Sequence, residues 1–282
     1  MINHIDDYFI VSKNFSISVN FMQKLSRIRI KLEIKEGHDL SYCKGSIFQG
    51  ALMQMIDSNY ASVLHESNLH PYSQYIEKQN DEVFWVINCT NNQASENIIS
   101  PILLKDSIYL EKMNTEFKFI DKVYEEVTYD SLVKSFYRED ASKYITLRIK
   151  TPMSFKSNGE YCIFPEVRKI YKSLMNKYDS AMKDEDSCLF DLDTLDELCE
   201  KTKIIRYSLR TNKFPLEGIS VTAFIGTITL KISAPQTLVN FANMLFKFAE
   251  FSGIGIKISV GMGAISIETK ESKDGGINYV ND

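Results

Sequence analysis

Apolar and charged residues alternate along LSRIRIKLEIK (25–35): Ile28, Ile30, Leu32 and Ile34 fall on one face, Arg27, Arg29, Lys31 and Glu33 on the other. A period of two over that length predicts a half-buried strand. Gly37 to Ser41 interrupts the alternation. From Lys44 to about Leu64 the apolar positions Ile47, Leu52, Met55, Ile56 and Val63 return at helical spacing. A loop around Pro71 leads to a strand, EVFWVINCT (82–90), and to further strand-like stretches near 107–120.

The same order then repeats. YITLRIK (144–150) alternates like the first strand, and after a turn at Asn158–Gly159 the stretch Phe164–Tyr178 reads as a helix opened by Pro165. Residues 181–200 read as an inserted helix. A strand at 203–210, turn signals at Asn212 and Pro215, and a long strand at 218–233 follow. Pro235 opens a helix through about Phe251, and a glycine-rich loop leads into a last strand, AISIE (264–268). The pattern predicts an α+β fold of two tandem ferredoxin-like (RRM-like) units, each β-α-β-β-α-β, with a C-terminal glycine-rich loop. The expected division is an extension at 1–24, domains at 25–138 and 139–270, and a tail at 271–282.

Composition narrows the class. With 282 residues, 44% hydrophobic and 25% charged, the chain suits one large or two ordinary soluble domains and is not a disordered chain. No 18-residue apolar window exists, and MINHIDDYFIV has no basic leader region, so the reading is a cytoplasmic protein that does not enter a membrane. Five cysteines (43, 89, 162, 188, 199) form no CxxC pair, which reads as reduced thiols rather than a disulfide framework or a zinc site.

The net charge of −4 conceals a division. Residues 181–200 hold eight acids against one lysine, while 201–213 (KTKIIRYSLRTNK) holds five basic residues and no acid. A basic stripe on a hairpin, Lys203, Arg206, Arg210 and Lys213, fits either a solvated helix followed by an exposed hairpin or a nucleic-acid contact, and an overall acidic balance does not argue against the latter.

The most specific string is FSGIGIKISVGMG (251–263), in which Gly253, Gly255, Gly261 and Gly263 flank Lys257 and Ser259. Glycine permits positive φ and close backbone approach, so this string is either a loop whose amides face an anion or a polynucleotide backbone, or a glycine-rich helix-to-strand turn with no ligand. The spacing is neither a dinucleotide fingerprint nor a Walker loop. Together with RIRIKLEI, SIFQGALMQMI (46–56), VLHESNLHPYS (63–73), IKTPMSF (149–155) and PLEGISVTAFIGTITLKIS, this string resembles the CRISPR-associated repeat-RNA-cleaving endoribonucleases of the RAMP superfamily, over residues 25–268.

That resemblance implies RNA cleavage without metal or cofactor, by attack of a ribose 2′-OH on the adjacent phosphorus to leave a 2′,3′-cyclic phosphate and a 5′-OH. A histidine suits either proton transfer. The resemblance assigns His65 the family's catalytic position; His70 lies five residues on, and His38 sits on the first strand-to-helix loop. Met53 stands where some members carry a helix tyrosine, and the lysine that follows the histidine in some members is absent here. RNA binding falls to the basic stripe and to the glycine loop with Lys257 and Ser259. The implied partner is CRISPR repeat RNA, single-stranded or hairpin. A loose association with an effector complex and a monomer or homodimer stay open. The alternative is a non-catalytic RAMP protein that holds guide RNA in an effector complex. The spacing in HESNLH is one residue too long for the zinc motif HExxH, which argues against a metalloprotease.

Overall fold

The computed structural model describes residues 23–34, 37, 39–138, 141–182, 190–216 and 218–268. The expected extension up to residue 22, His38 and the tail 271–282 lie outside the described residues.

The first unit runs β1 (Lys24–Leu32), a 3₁₀ turn (Tyr42–Lys44), α1 (Gly45–Met55), α2 (Ser58–Glu66), β2 (Tyr72–Gln79) and β3 (Glu82–Cys89). An irregular helix follows, α3 (Asn92–Ala94) passing through a π turn into α4 (Ser100–Leu103), then β4 (Ser107–Leu110) and β5 (Thr115–Thr128). The sheet order is β2-β3-β1-β5-β4, every described pairing antiparallel. The alternation of β1 works as expected: Ile28, Ile30 and Leu32 are buried with Phe48, Leu52 and Trp85 under the helices.

Helix α5 (Tyr129–Arg138) lies between the two sheets in sequence and buries Tyr129 and Leu132 in the second core. The second unit runs β6 (Tyr144–Met153), the small hairpin β7 (Phe155–Ser157) and β8 (Glu160–Cys162), α6 (Val167–Met182), α7 (Leu192–Lys201), β9 (Thr202–Leu216), β10 (Ile219–Ile232), α8 (Gln236–Ser252) and β11 (Ile265–Glu268). Its sheet order, β11-β6-β10-β9, places the first and third strands of the unit in the centre and the last and second at the two edges, the ferredoxin-like arrangement.

Two departures from expectation have local causes. The helix expected over 44–64 is two helices, because Ile56 is extended and the Asp57 carboxylate accepts from the amides of Asn59 (2.9 Å) and Tyr60 (3.1 Å), which starts α2 afresh. Strand β2 was not anticipated; its buried Ser73 and Gln74 break the apolar pattern because their polar atoms are satisfied by the second unit. The inserted helix expected over 181–200 is present as α7 in the described part of that stretch, and it buries Leu195 and Leu198 in the second core.

The faces of the two sheets that carry no helices meet along one line. Tyr75, Phe84 and Val86 of the first sheet pack against Ala264 at the start of β11, and Lys150 of β6 reaches Glu77 of β2 at 2.9 Å. Among the described residues no helix is long and apolar enough to cross a membrane.

Candidate nucleic-acid interface and active site

His65 is the penultimate residue of α2 and is exposed. The chain then folds back through residues 67–71, so that His70 precedes β2 with its ring edge-on to Tyr72, the centroids 5.7 Å apart. His70 is half-buried, and its Nδ1 is buried with no hydrogen-bond partner among the described residues. Burial holds the His70 imidazole below its ordinary value, and the nearby charge of His65 pushes the same way. Two histidines five residues apart are thus within electrostatic reach, one open to solvent and one half-buried. Burial also pushes the Tyr72 phenol up to about 12, with the side chains of Gln49 on α1 and Ser259 in the glycine loop acting against it.

The loop 253–264 wraps edge strand β2. Gln74 is the pin: its Nε2 donates to Gly45 O (2.8 Å) and to Ser259 O (3.0 Å), while its Oε1 accepts from Trp85 Nε1 (2.9 Å). A Cβ on Gly45 would stand 2.2 Å from Val260 O, and one on Gly263 (φ +70°) 2.1 Å from Ile254 O. These positions need glycine because protein backbone approaches them.

The expectation that the loop amides face RNA is therefore corrected. The N–H of Gly253 donates to Ala249 O, that of Gly255 to Ser173 Oγ, that of Gly261 to Ile258 O and that of Gly263 to Pro152 O. All four are consumed internally. Ser259 is buried as well. Lys257 alone of the loop residues singled out is exposed, held in the left-handed region at φ 56°.

Strand β9 carries the basic stripe. Lys203 stands opposite Lys231, Arg206 opposite Thr229, and Arg210 opposite Ile225. A bulge at Ile205 keeps Lys203 and Arg206 on one face despite their odd spacing. That face is the one without helices, since Ile228 and Leu230, one position out of step, lie in the helix-covered core. Lys213, opposite Thr222, falls on the other face, so the structure separates it from the other three. Lys203, Arg206 and Arg210 are exposed and have no ion-pair partner among the described residues.

The register adds residues that reading one strand at a time missed. Arg148 on β6 stands opposite Thr227, and Lys231 lies 5.8 Å over the ring of Tyr144, which is 55% exposed. The polar face of YITLRIK was the available signal. The row on β9 continues through Asn212, whose Nδ2 donates to Tyr42 Oη at 2.9 Å, to Phe214, buried against Val221 and Met262. The cations thus lie on a surface continuous with the glycine loop. Among the described residues no three His, Cys, Asp or Glu side chains form a group able to hold a metal ion.

The family model described as CRISPR-associated endoribonuclease Cas6 matches residues 147–265. A protein of that name from Streptococcus thermophilus is 32% identical over 225 residues, 79% of this chain and 91% of the relative. Another from Mycobacterium tuberculosis is 26% identical over 253 residues, 87% of this chain and 79% of the relative. A solved Cas6 product complex superposes with a TM-score of 0.70 at 18% identity, covering 87% of this chain and 100% of that one. The chain belongs to the family of CRISPR-associated endoribonucleases Cas6.

Proposed function

We propose that this chain cuts CRISPR repeat RNA into guide RNAs by transesterification at His65 and His70. The reaction is written with the substrate's own hydroxyl as nucleophile. The 2′-oxygen bonds to the adjacent phosphorus, the bond from phosphorus to the 5′-oxygen breaks, one proton leaves the 2′-OH and another arrives on the 5′-oxygen. The products are a 2′,3′-cyclic phosphate and a 5′-OH, and no metal or cofactor enters the balance. The protein's task is to hold the hydroxyl in line and to move the two protons.

The observation that carries this reading is the histidine pair. His65 is exposed at the end of α2, where it can reach a bound phosphate, and His70, depressed by burial, stays neutral and suits proton acceptance. Lys203, Arg206 and Arg210, which have no ion-pair partner among the described residues, supply cations for phosphates with Arg148 and Lys231 beside them, and Tyr144 supplies a face for a base.

The test is single-turnover cleavage of the repeat RNA from the chain's own locus. His65→Ala is expected to slow cleavage by about 10²–10⁴-fold with RNA affinity nearly unchanged. His70→Ala and His38→Ala are expected to slow it less. RNA with a 2′-deoxy scissile nucleotide should bind and stay whole, and EDTA should leave the rate unaltered. Loss of cleavage in EDTA with recovery in magnesium overturns the 2′-OH mechanism. Full activity in all three histidine variants overturns the site.

A further inference from the structure

The last turn of α8 ends at the start of the glycine loop, and side chains from both units meet its free carbonyls. Glu250 O accepts from Arg27 Nη2 (2.7 Å) and Phe251 O from Ser73 Oγ (2.6 Å), both in the first unit. From α6 of the second unit, Lys177 Nζ donates to Gly253 O (2.9 Å), and Ser173 Oγ accepts from the amide of Gly255 (3.0 Å). Ser173 and Lys177 are one helical turn apart, so a single face of α6 holds the loop by one acceptor and one donor.

Lys177 is an expensive residue for that task. It is 7% exposed, lies between Met175 and Tyr178 in the second core, and has one hydrogen-bond acceptor among the described residues and no carboxylate partner. Burial lowers its ammonium to about 7. A methionine would fill the same length without that desolvation cost, so packing alone does not account for an amine here.

Beyond the loop's start, Ser259 O takes the amide of Gln74 on β2, two residues from Tyr72, whose ring lies edge-on to His70. We infer that Lys177 and Ser173 are positioning residues for cleavage: they seat the 253–264 loop so that Lys257 and Ser259 meet the His65–His70 end of the site. The inference rests on the histidine site proposed above and extends it to residues that touch no substrate.

The experiment compares Lys177→Met, Lys177→Gln and Ser173→Ala with wild type and with His65→Ala. It measures melting temperature, affinity for uncleavable 2′-deoxy RNA, and single-turnover rate at saturating RNA. Lys177→Met is expected to melt at or above the wild-type temperature yet cleave on the order of 10-fold more slowly, with affinity changed far less. Lys177→Gln, which keeps an N–H donor, is expected to regain part of the rate, and Ser173→Ala to lose less than Lys177→Met. Wild-type rates in Lys177→Met and Ser173→Ala overturn the inference. So does a rate loss that follows a fall in melting temperature and is not regained by Lys177→Gln. If Lys177→Met does not fold, wild-type rates in both other variants overturn it. His65→Ala at the wild-type rate removes the histidine site instead, and the clamp is then judged on the rate of Lys177→Met alone.

Discussion

Arg27, Arg29 and Lys31 on β1 and Lys203, Arg206 and Arg210 on β9 are two rows of cations, each on the face of its sheet turned away from that unit's own helices, and they differ in what stands opposite them. Strand β1 is central. Arg27 lies in register with Asn88 on one side and Glu125 on the other, bonds both at 2.6 and 2.7 Å, and stacks over Phe251. Arg29 has Gln79 and Glu77, and Lys31 has Glu82. Strand β9 is an edge, and its neighbour β10 offers Lys231, Thr229 and Ile225 at the matching positions. The lesson is that cross-strand neighbours decide whether a cation is structural or available. A row of cations on an edge strand also discourages edge-to-edge aggregation, so the contrast needs tests that separate the two uses.

The largest effect is expected at Arg27. Replacing it with alanine strands Asn88 Oδ1 and the Glu250 carbonyl and removes the contact with Phe251, which joins the first sheet to α8. A loss of about 2–4 kcal/mol is expected, read by chemical or thermal unfolding, with RNA affinity of the folded fraction retained. If Arg27→Ala is as stable as wild type but binds RNA poorly, the β1 row belongs with the β9 row and the comparison collapses.

How much of this was legible in the sequence depends on the distance over which each signal acts. The alternation RIRIK exposes β1 without ambiguity, because a period of two is local. What Arg27 bonds to is not local: Glu125 lies 98 residues away and Glu250 lies 223 away. Glycines in GIGIKISVGMG announce close backbone approach, yet phosphate and protein backbone make the same demand, and only the fold reveals Gly45 and Ile254 as the neighbours. Strand β2 escaped because Ser73 and Gln74 are buried and polar, satisfied by residues of α8 and the loop more than 170 positions on. His65 was legible through family resemblance. That His70 folds back within its electrostatic reach, and that Lys213 leaves the row, needed the loop at 67–71 and the register of β9.

The next effect is a loss of RNA affinity. Lys203→Glu with Arg206→Glu leaves no broken ion pair behind, so the melting temperature should hold. Affinity should fall by about one order of magnitude or more, and the slope of log K against log salt should flatten by about one unit per lost phosphate contact. Filter binding or fluorescence anisotropy across a salt series reads both quantities. Intact affinity with an intact slope, accompanied by aggregation, would assign the β9 row to edge protection and leave RNA to bind elsewhere.

The smallest effect is the most diagnostic for geometry. Lys213 is exposed and without an ion-pair partner among the described residues, as Lys203 and Arg206 are, so net charge alone predicts the same penalty for reversing any one of them. Register predicts otherwise. Lys213 stands opposite Thr222 on the other face of β9, beside Phe214, which is buried toward the glycine loop. An RNA backbone following the helix-free face passes Lys203, Arg206 and Arg210 and leaves Lys213 behind the strand, at separations where salt near physiological strength screens most of its field. Lys213→Glu should therefore weaken binding by less than about 2-fold and leave the salt slope unaltered, while Arg210→Glu should cost several-fold and about one unit of slope. Equal losses for the two would mean that the RNA wraps the hairpin edge and touches both faces of β9.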